Sequence, residues 1–325
     1  MEKLTLIKVG GKIVEEEETL RNLLNDFSQV EGYKVLVHGG GRSATKLAAQ
    51  LGIESKMVGG RRITDADMLR VVTMVYGGLV NKNIVAGLQA LGINALGLTG
   101  ADMNLMRSDK RPVGEVDYGF VGNVKEVNAD LLASLIYQDI VPVLAPLTHD
   151  KQGHMLNTNA DTIAGEAAKA LAKHFEVTLM FCFEKKGVLK DENDDESVIP
   201  EIDRTAFKQY VEAGVIQGGM IPKLENSFQA IDAGVKPVIP SSSRTSRFNA
   251  ISTLSPKSTC PPTDVSHLPG CMSFHSGRFC RYNSPCELNT CRWTTGCKSL
   301  LPLWHSPRVA APMMFPCSST RGNIS

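Results

Sequence analysis

Through its first 240 residues this chain of 325 has one cysteine, Cys182, and no tryptophan. That stretch therefore holds neither a disulfide framework nor a cysteine-rich metal module. It lacks a run of about 18 apolar residues such as a membrane span requires. Its start, Met1-Glu-Lys-Leu-Thr5, lacks the charged-then-apolar order of a secretory signal, so a cytoplasmic protein is expected. The formal charge is only +1, which predicts neither a nucleic-acid nor a membrane partner. Three catalytic signatures are also missing. No G-x-x-x-x-G-K-[ST] is present, so this is not a P-loop enzyme. No strand runs into G-x-G-x-x-G, which argues against dinucleotide binding. His38-Gly-Gly-Gly41 looks like a lipase oxyanion loop, yet no G-x-S-x-G supplies a nucleophile.

Composition changes abruptly near Pro240. The last 85 residues hold seven of the eight cysteines, both tryptophans (Trp293 and Trp304), 16 serines and 9 prolines. Nine Lys and Arg against Asp264 and Glu287 give this tail +7, so the whole-chain +1 leaves −6 for residues 1–240. Three readings compete for 241–325. Cysteine intervals of 9, 6, 5 and 6 between Cys271 and Cys297 contain no C-x-x-C pair, which disfavours a zinc or disulfide module. A native disordered tail seldom carries this much Cys and Trp. The favoured reading is an out-of-frame or fused product never selected to fold.

What the first 240 residues do contain is alternation. Strands are predicted over Leu4–Val9, Lys34–Val37, Ala95–Leu98, Val141–Leu144, Val177–Phe183 and Val235–Ile239. Helices are predicted over Glu15–Phe27, Ser43–Leu51 (capped by Ser43), Asp65–Leu91 (interrupted at Gly77-Gly78), Thr162–Phe175 and Met220–Ala233. Met57–Ile63 reads as a short hairpin, and Lys110–Val127 as a β-hairpin excursion. The fold class is α/β: a three-layer αβα sandwich around a mostly parallel sheet. Glycines cluster where strands end or helices begin, at Lys8-Val-Gly-Gly11, His38-Gly-Gly-Gly41 and Gly218-Gly-Met-Ile-Pro-Lys223. Glycine lets backbone N–H groups approach a polyanion, and lysine adds a point charge. The three together predict phosphoryl transfer.

Residues 1–240 resemble the N-acetylglutamate kinases of the amino acid kinase family almost end to end. The resemblance rests on the motifs above together with Gly60-Arg-Arg-Ile-Thr64 and Leu156-Asn-Thr-Asn-Ala-Asp161. It implies ATP-dependent phosphorylation of the γ-carboxylate of an N-acylglutamate, the second step of arginine synthesis. An acceptor lobe is implied at about 1–150 and a nucleotide lobe at about 151–240. Lys8 would hold the moving phosphoryl group, Lys223 the leaving bridge of ATP, and Asp161 would orient both ammonium groups. Gly10, Gly11, Gly39 and Gly219 would serve the nucleotide phosphates, and Gly40, Gly41, Arg62 and Asn157 the acceptor. Gly10, Gly11, Gly39 and Gly40 would direct their N–H groups at the phosphates. Mg²⁺ would arrive with ATP, held by phosphates and water, with no protein metal site.

Plainer readings stand beside these. Lys8 suits an edge strand, Asp161 suits the N-cap of the following helix, and Asn157 and Asn159 suit a turn. Arg61 and Arg62 suit a solvated pair, and His38 is a packing and hydrogen-bonding residue rather than a catalyst. The chain also departs from the family. Phe183-Glu-Lys-Lys186 replaces a Ser/Thr-Asp-Val segment beside the nucleotide, and nothing after Ser241 resembles the expected closing helix and Gly-Thr strand. The ring-forming N-terminal helix of arginine-inhibited relatives is absent, so a homodimer insensitive to arginine is expected.

Overall fold

The computed structural model describes residues 1–182, 187–191, 193–240 and 250–254, all within one compact unit, Met1–Thr263. The expectations for Phe183-Glu-Lys-Lys186 and for most of the tail lie outside the described residues. In chain order the elements run β1 (Lys3–Val9), α1 (Gly11–Glu15), α2 (Glu17–Ser28), β2 (Tyr33–His38) and α3 (Gly41–Gln50). The hairpin β3 (Met57–Val58) and β4 (Arg61–Arg62) follows, then α4 (Ala66–Val72), a π-helical stretch Thr73–Val80, α5 (Asn81–Ala90) and β5 (Ala95–Leu98). Next come β6 (Met106–Lys110), β7 (Gly122–Val127), α6 (Ala129–Ile136), β8 (Val141–Leu144), β9 (Leu147–His149), β10 (Met155–Asn157) and α7 (Ala160–Leu171). The described chain closes with β11 (Glu176–Cys182), β12 (Glu201–Ile202), α8 (Arg204–Glu212), α9 (Met220–Asp232), β13 (Lys236–Pro240) and β14 (Ala250–Leu254).

The main sheet has eight strands in the order β12-β14-β13-β11-β1-β2-β8-β5. Every pairing is parallel except β13 with β14. Both faces are covered, which is why β1 and β2 are apolar on both faces, at Leu4, Leu6, Ile7 and Val9 and at Val35, Leu36 and Val37. The period of two then sorts the side chains. Leu4, Leu6, Val35 and Val37 pack with α6 and α7 on one face; Ile7, Val9 and Leu36 pack with α1 to α5 on the other. By the same parity Lys8 falls on the α7 side and His38 on the α5 side. These two placements build the site.

Several expectations are corrected. Lys8 pairs with Phe181 on one side and Val37 on the other, so it sits mid-sheet and not on an edge. Ser43 lies inside α3 rather than at its cap; Gly40 takes the cap position, and the Ser43 N–H donates to Glu15 Oε1 at 2.7 Å. The helix after Asp65 is not broken at Gly77-Gly78. It passes through them as a π-helical stretch, with Asp65 capping its start by accepting from Met68 N. The resulting 25-residue run, Ala66–Ala90, is long and apolar enough to cross a membrane by length and composition, against the expectation of no such stretch. It is a core element here: Met68, Val71, Val72, Val75, Ile84 and Leu88 are all buried against the sheet. Finally, β14 is a strand beyond Pro240, where the sequence predicts none. It pairs with β13 and β12.

Candidate active site

Asp161 is the second residue of α7, on the buried stripe that continues through Ala164 and Ala168. Asn159, not Asp161, caps this helix, accepting from the N–H groups of Asp161 and Thr162. The Asp161 carboxylate is thus released from capping and turns toward β1. Lys8 Nζ stands 2.8 Å from its Oδ1. Lys223 Nζ donates to its Oδ2 at 3.2 Å. Lys223 reaches it because α9 packs on α7 at Gly165, where a Cβ would stand 3.5 Å from Asn226. All three side chains are at most 13% exposed.

Burial by itself pushes the Asp161 carboxyl up, but the Lys8 and Lys223 ammonium groups override it and hold the group below its usual value. Lys223 is lowered, first by burial and then by repulsion from Lys8, with Asp161 opposing both. One carboxylate therefore spans two cations at the end of the sheet.

Beside it lies a cavity of about 200 Å³, lined by Lys8, Gly39–Gly41, Arg62, Tyr76, Asn157 and Asp161 among others. The glycine cradle is narrower than the sequence predicts. The Gly10 N–H donates to Cys182 O at 2.9 Å and the Gly39 N–H to Val9 O at 3.1 Å, so neither faces a phosphate. Those two bonds continue the sheet ladder past the strand ends. Gly11, Gly40 and Gly41 remain: a Cβ on Gly11 would stand 3.7 Å from both the Gly40 and Gly41 nitrogens. Gly40 adopts φ 157°, and a Cβ there would meet Tyr76 Cδ1 at 2.9 Å. Gly219, at the start of α9, is outside the cavity lining, and a Cβ on it would touch nothing within 4 Å.

The opposite wall is polar and fixed. Arg62 is buried, which excludes the solvated pair with Arg61. Its guanidinium donates to Gly41 O at 2.8 Å, to Thr45 Oγ1 at 2.9 Å and to Ser55 Oγ. Asn157 donates through Nδ2 to Thr64 Oγ1 at 2.9 Å, so it belongs to a packed network and not to a loose turn. Sequence reasoning misses Tyr76, Thr45 and Ser55, whose local contexts are unremarkable, and gives Thr64 no role of its own although it closes the Gly60-Arg-Arg-Ile-Thr64 motif. It also misses Asn81, for which a signal exists: a polar side chain in line, at helical spacing, with the apolar Ile84 and Leu88. Among the described residues no group of three His, Cys, Asp or Glu side chains is placed to hold a metal. Asp161, the carboxylate in the cavity lining, is already committed to two lysines.

An α/β sheet that ends in a lysine pair, a shared acid and glycine amides defines a protein built to hold a transferring anion. Residues 3–239 match the pattern of the amino acid kinase family, and the chain belongs to that family. An acetylglutamate kinase from Parabacteroides distasonis is 91% identical over 239 residues, which make up 74% of this chain and 94% of that protein. One from Cytophaga hutchinsonii is 57% identical over 240 residues, 74% of this chain and 91% of that protein. Among solved structures, smu.665 from Streptococcus mutans superposes with a TM-score of 0.66 at 27% identity, covering 78% of this chain and 98% of that one. An N-acetylglutamate synthase from Neisseria gonorrhoeae, complexed with coenzyme A and N-acetyl-glutamate, shares the fold at 18% identity (TM-score 0.66; 79% of this chain, 60% of that one).

Proposed function

We propose that this chain transfers the γ-phosphoryl group of ATP to the γ-carboxylate of N-acetyl-L-glutamate, giving ADP and the acyl phosphate in arginine biosynthesis. The observation that carries the reading is the Lys8–Asp161–Lys223 bridge, of which Lys8 and Asp161 line the cavity. The 91% identity to an acetylglutamate kinase selects the acceptor. A carboxylate is already a nucleophile, so the reaction needs position and charge stabilisation rather than a general base. Lys8 grips the travelling phosphoryl group; Lys223 stabilises the bridge oxygen of the leaving ADP. Asp161 keeps the two ammonium groups apart and oriented, and takes no proton. The amides of Gly11, Gly40 and Gly41 donate to the phosphoryl oxygens and the reacting carboxylate. Arg62 forks onto the acceptor's second carboxylate, and Asn157 borders the acyl group.

Mg²⁺ would enter with ATP rather than on a protein carboxylate, since the lysines already occupy Asp161, and it would neutralise phosphate charge. The acceptor binds in a lobe spanning about 1–150 and MgATP in one spanning about 151–240. The chain works in the cytoplasm as a homodimer with small-molecule partners. The exposed Met74 and Leu79, and the exposed Leu96 on β5, the last strand of the sheet among the described residues, suit a second copy. Assaying acetylglutamate against aspartate, glutamate and carbamate tests the acceptor; equal turnover with any of the last three would refute it. A second reading, a chain with intact sites but an incomplete nucleotide lobe, draws on the family match ending at residue 239. Calorimetry with MgATP separates them, because normal affinity excludes the impaired product.

A further inference from the structure

His38 is fully buried at the end of β2, and the phosphoryl-transfer scheme gives it no task. Its ring is nonetheless wired at both nitrogens. Nε2 lies 3.1 Å from Asn81 Nδ2, and Nδ1 lies 2.7 Å from the carbonyl oxygen of Gly39. The orientation of the Asn81 amide is over-determined. Its Nδ2 also donates to Val143 O at 3.0 Å, and its Oδ1 accepts from Lys82 Nζ at 3.1 Å. An amide nitrogen has no lone pair to offer, so it makes Nε2 the acceptor and leaves the proton on Nδ1. That proton meets Gly39 O. Gly39 is held at its other end too, by its N–H to Val9 O. In a trans peptide the C=O and the following N–H point in opposite directions. Fixing Gly39 O on the ring therefore sends the Gly40 N–H away from the ring, on the side where Gly40 lines the cavity.

We propose that His38 is a positioning residue: Asn81 holds it in the Nδ1–H tautomer, and it pins the Gly39–Gly40 peptide so that the Gly40 N–H donates to the reacting anion. The proposal rests on the function above and adds a residue to it. Burial keeps the imidazole neutral, lowering its pKa from 6.5 to about 4, with Lys82 the charged group that faces it. A positive ring would carry protons on both nitrogens and face the Asn81 NH₂ donor to donor.

The test uses the full chain, its ¹⁵N-histidine spectrum and two substitutions. His38→Asn keeps a donor near the Nδ1 position; His38→Gln moves its amide out to the Nε2 position and loses that donor. The expected result is a neutral Nδ1–H signal for His38 in the unmodified chain. His38→Gln should lose kcat roughly 10- to 100-fold, on the scale of a displaced oxyanion donor, with the KM for MgATP little changed, while His38→Asn keeps most of the turnover. An Nε2–H tautomer, or equal losses in both variants, overturns the proposal. If the unmodified chain phosphorylates nothing, the function fails and not the clamp. The tautomer and the ratio of acetylglutamate affinities in the two variants then decide.

Discussion

At the level of single residues, the groups of the site are already committed to partners within the chain. Asp161 serves two ammonium groups at once. Asp161→Asn leaves both lysines buried with a neutral partner, which should lower stability by about 3–5 kcal/mol, read as a fall in the urea midpoint. An unchanged midpoint would mean that the lysines are solvated. Gly40 is equally constrained, because a methyl group there meets the Tyr76 ring at 2.9 Å. Gly40→Ala should cut kcat at least about tenfold, some 1.4 kcal/mol, through a displaced loop; turnover equal to the unmodified chain would contradict that. The lysines, Asp161, Arg62 and Asn157 are legible in the sequence because each belongs to a motif. The amides of Gly10 and Gly39 are misread, since a motif names glycines but does not say which N–H the sheet ladder has already taken.

At the level of elements, the packing of α5 on β5 positions the site from behind. Gly97 in β5 admits no side chain: a Cβ would stand 1.9 Å from Asn81 Oδ1 and 2.8 Å from Lys82 Nζ. Gly97→Ala must therefore expel Asn81 from His38 and Val143, at a cost of about 1–3 kcal/mol. Chemical denaturation checks this, and a neutral effect would show that Asn81 moves freely. Strand positions are recoverable from sequence here because both sheet faces are covered and the strands are mostly apolar on both sides. The π-helical stretch is not. Gly77-Gly78 signals a break, but Val75, Tyr76 and Val80 are buried on either side, and that packing carries the helix through. Nor does any local pattern around Ala250–Leu254 announce a strand. Its partner β13 supplies the order instead.

Over the whole molecule, acid should act through two buried groups with the same sign. His38 is neutral when folded down to about 4 but protonates near 6.5 when unfolded. Stability is therefore full above 6.5 and declines as pH falls toward 4, by roughly 3 kcal/mol. Asp161, held below its usual value by Lys8 and Lys223, adds a further loss once pH falls below the unfolded carboxylate range. A urea series from pH 7.5 to 4.5 should show this decline, and His38→Asn should flatten it; parallel curves for the two proteins would remove His38 as the cause.

The most direct measurement is the turnover of Lys8→Ala with MgATP and N-acetylglutamate. Lys8 lies on the central strand, 2.8 Å from Asp161 and in the cavity lining. Losing its charge should lower kcat by roughly 10²–10³, about 3–4 kcal/mol of transition-state stabilisation. A variant that turns over as fast as the unmodified chain would show that the phosphoryl group passes elsewhere.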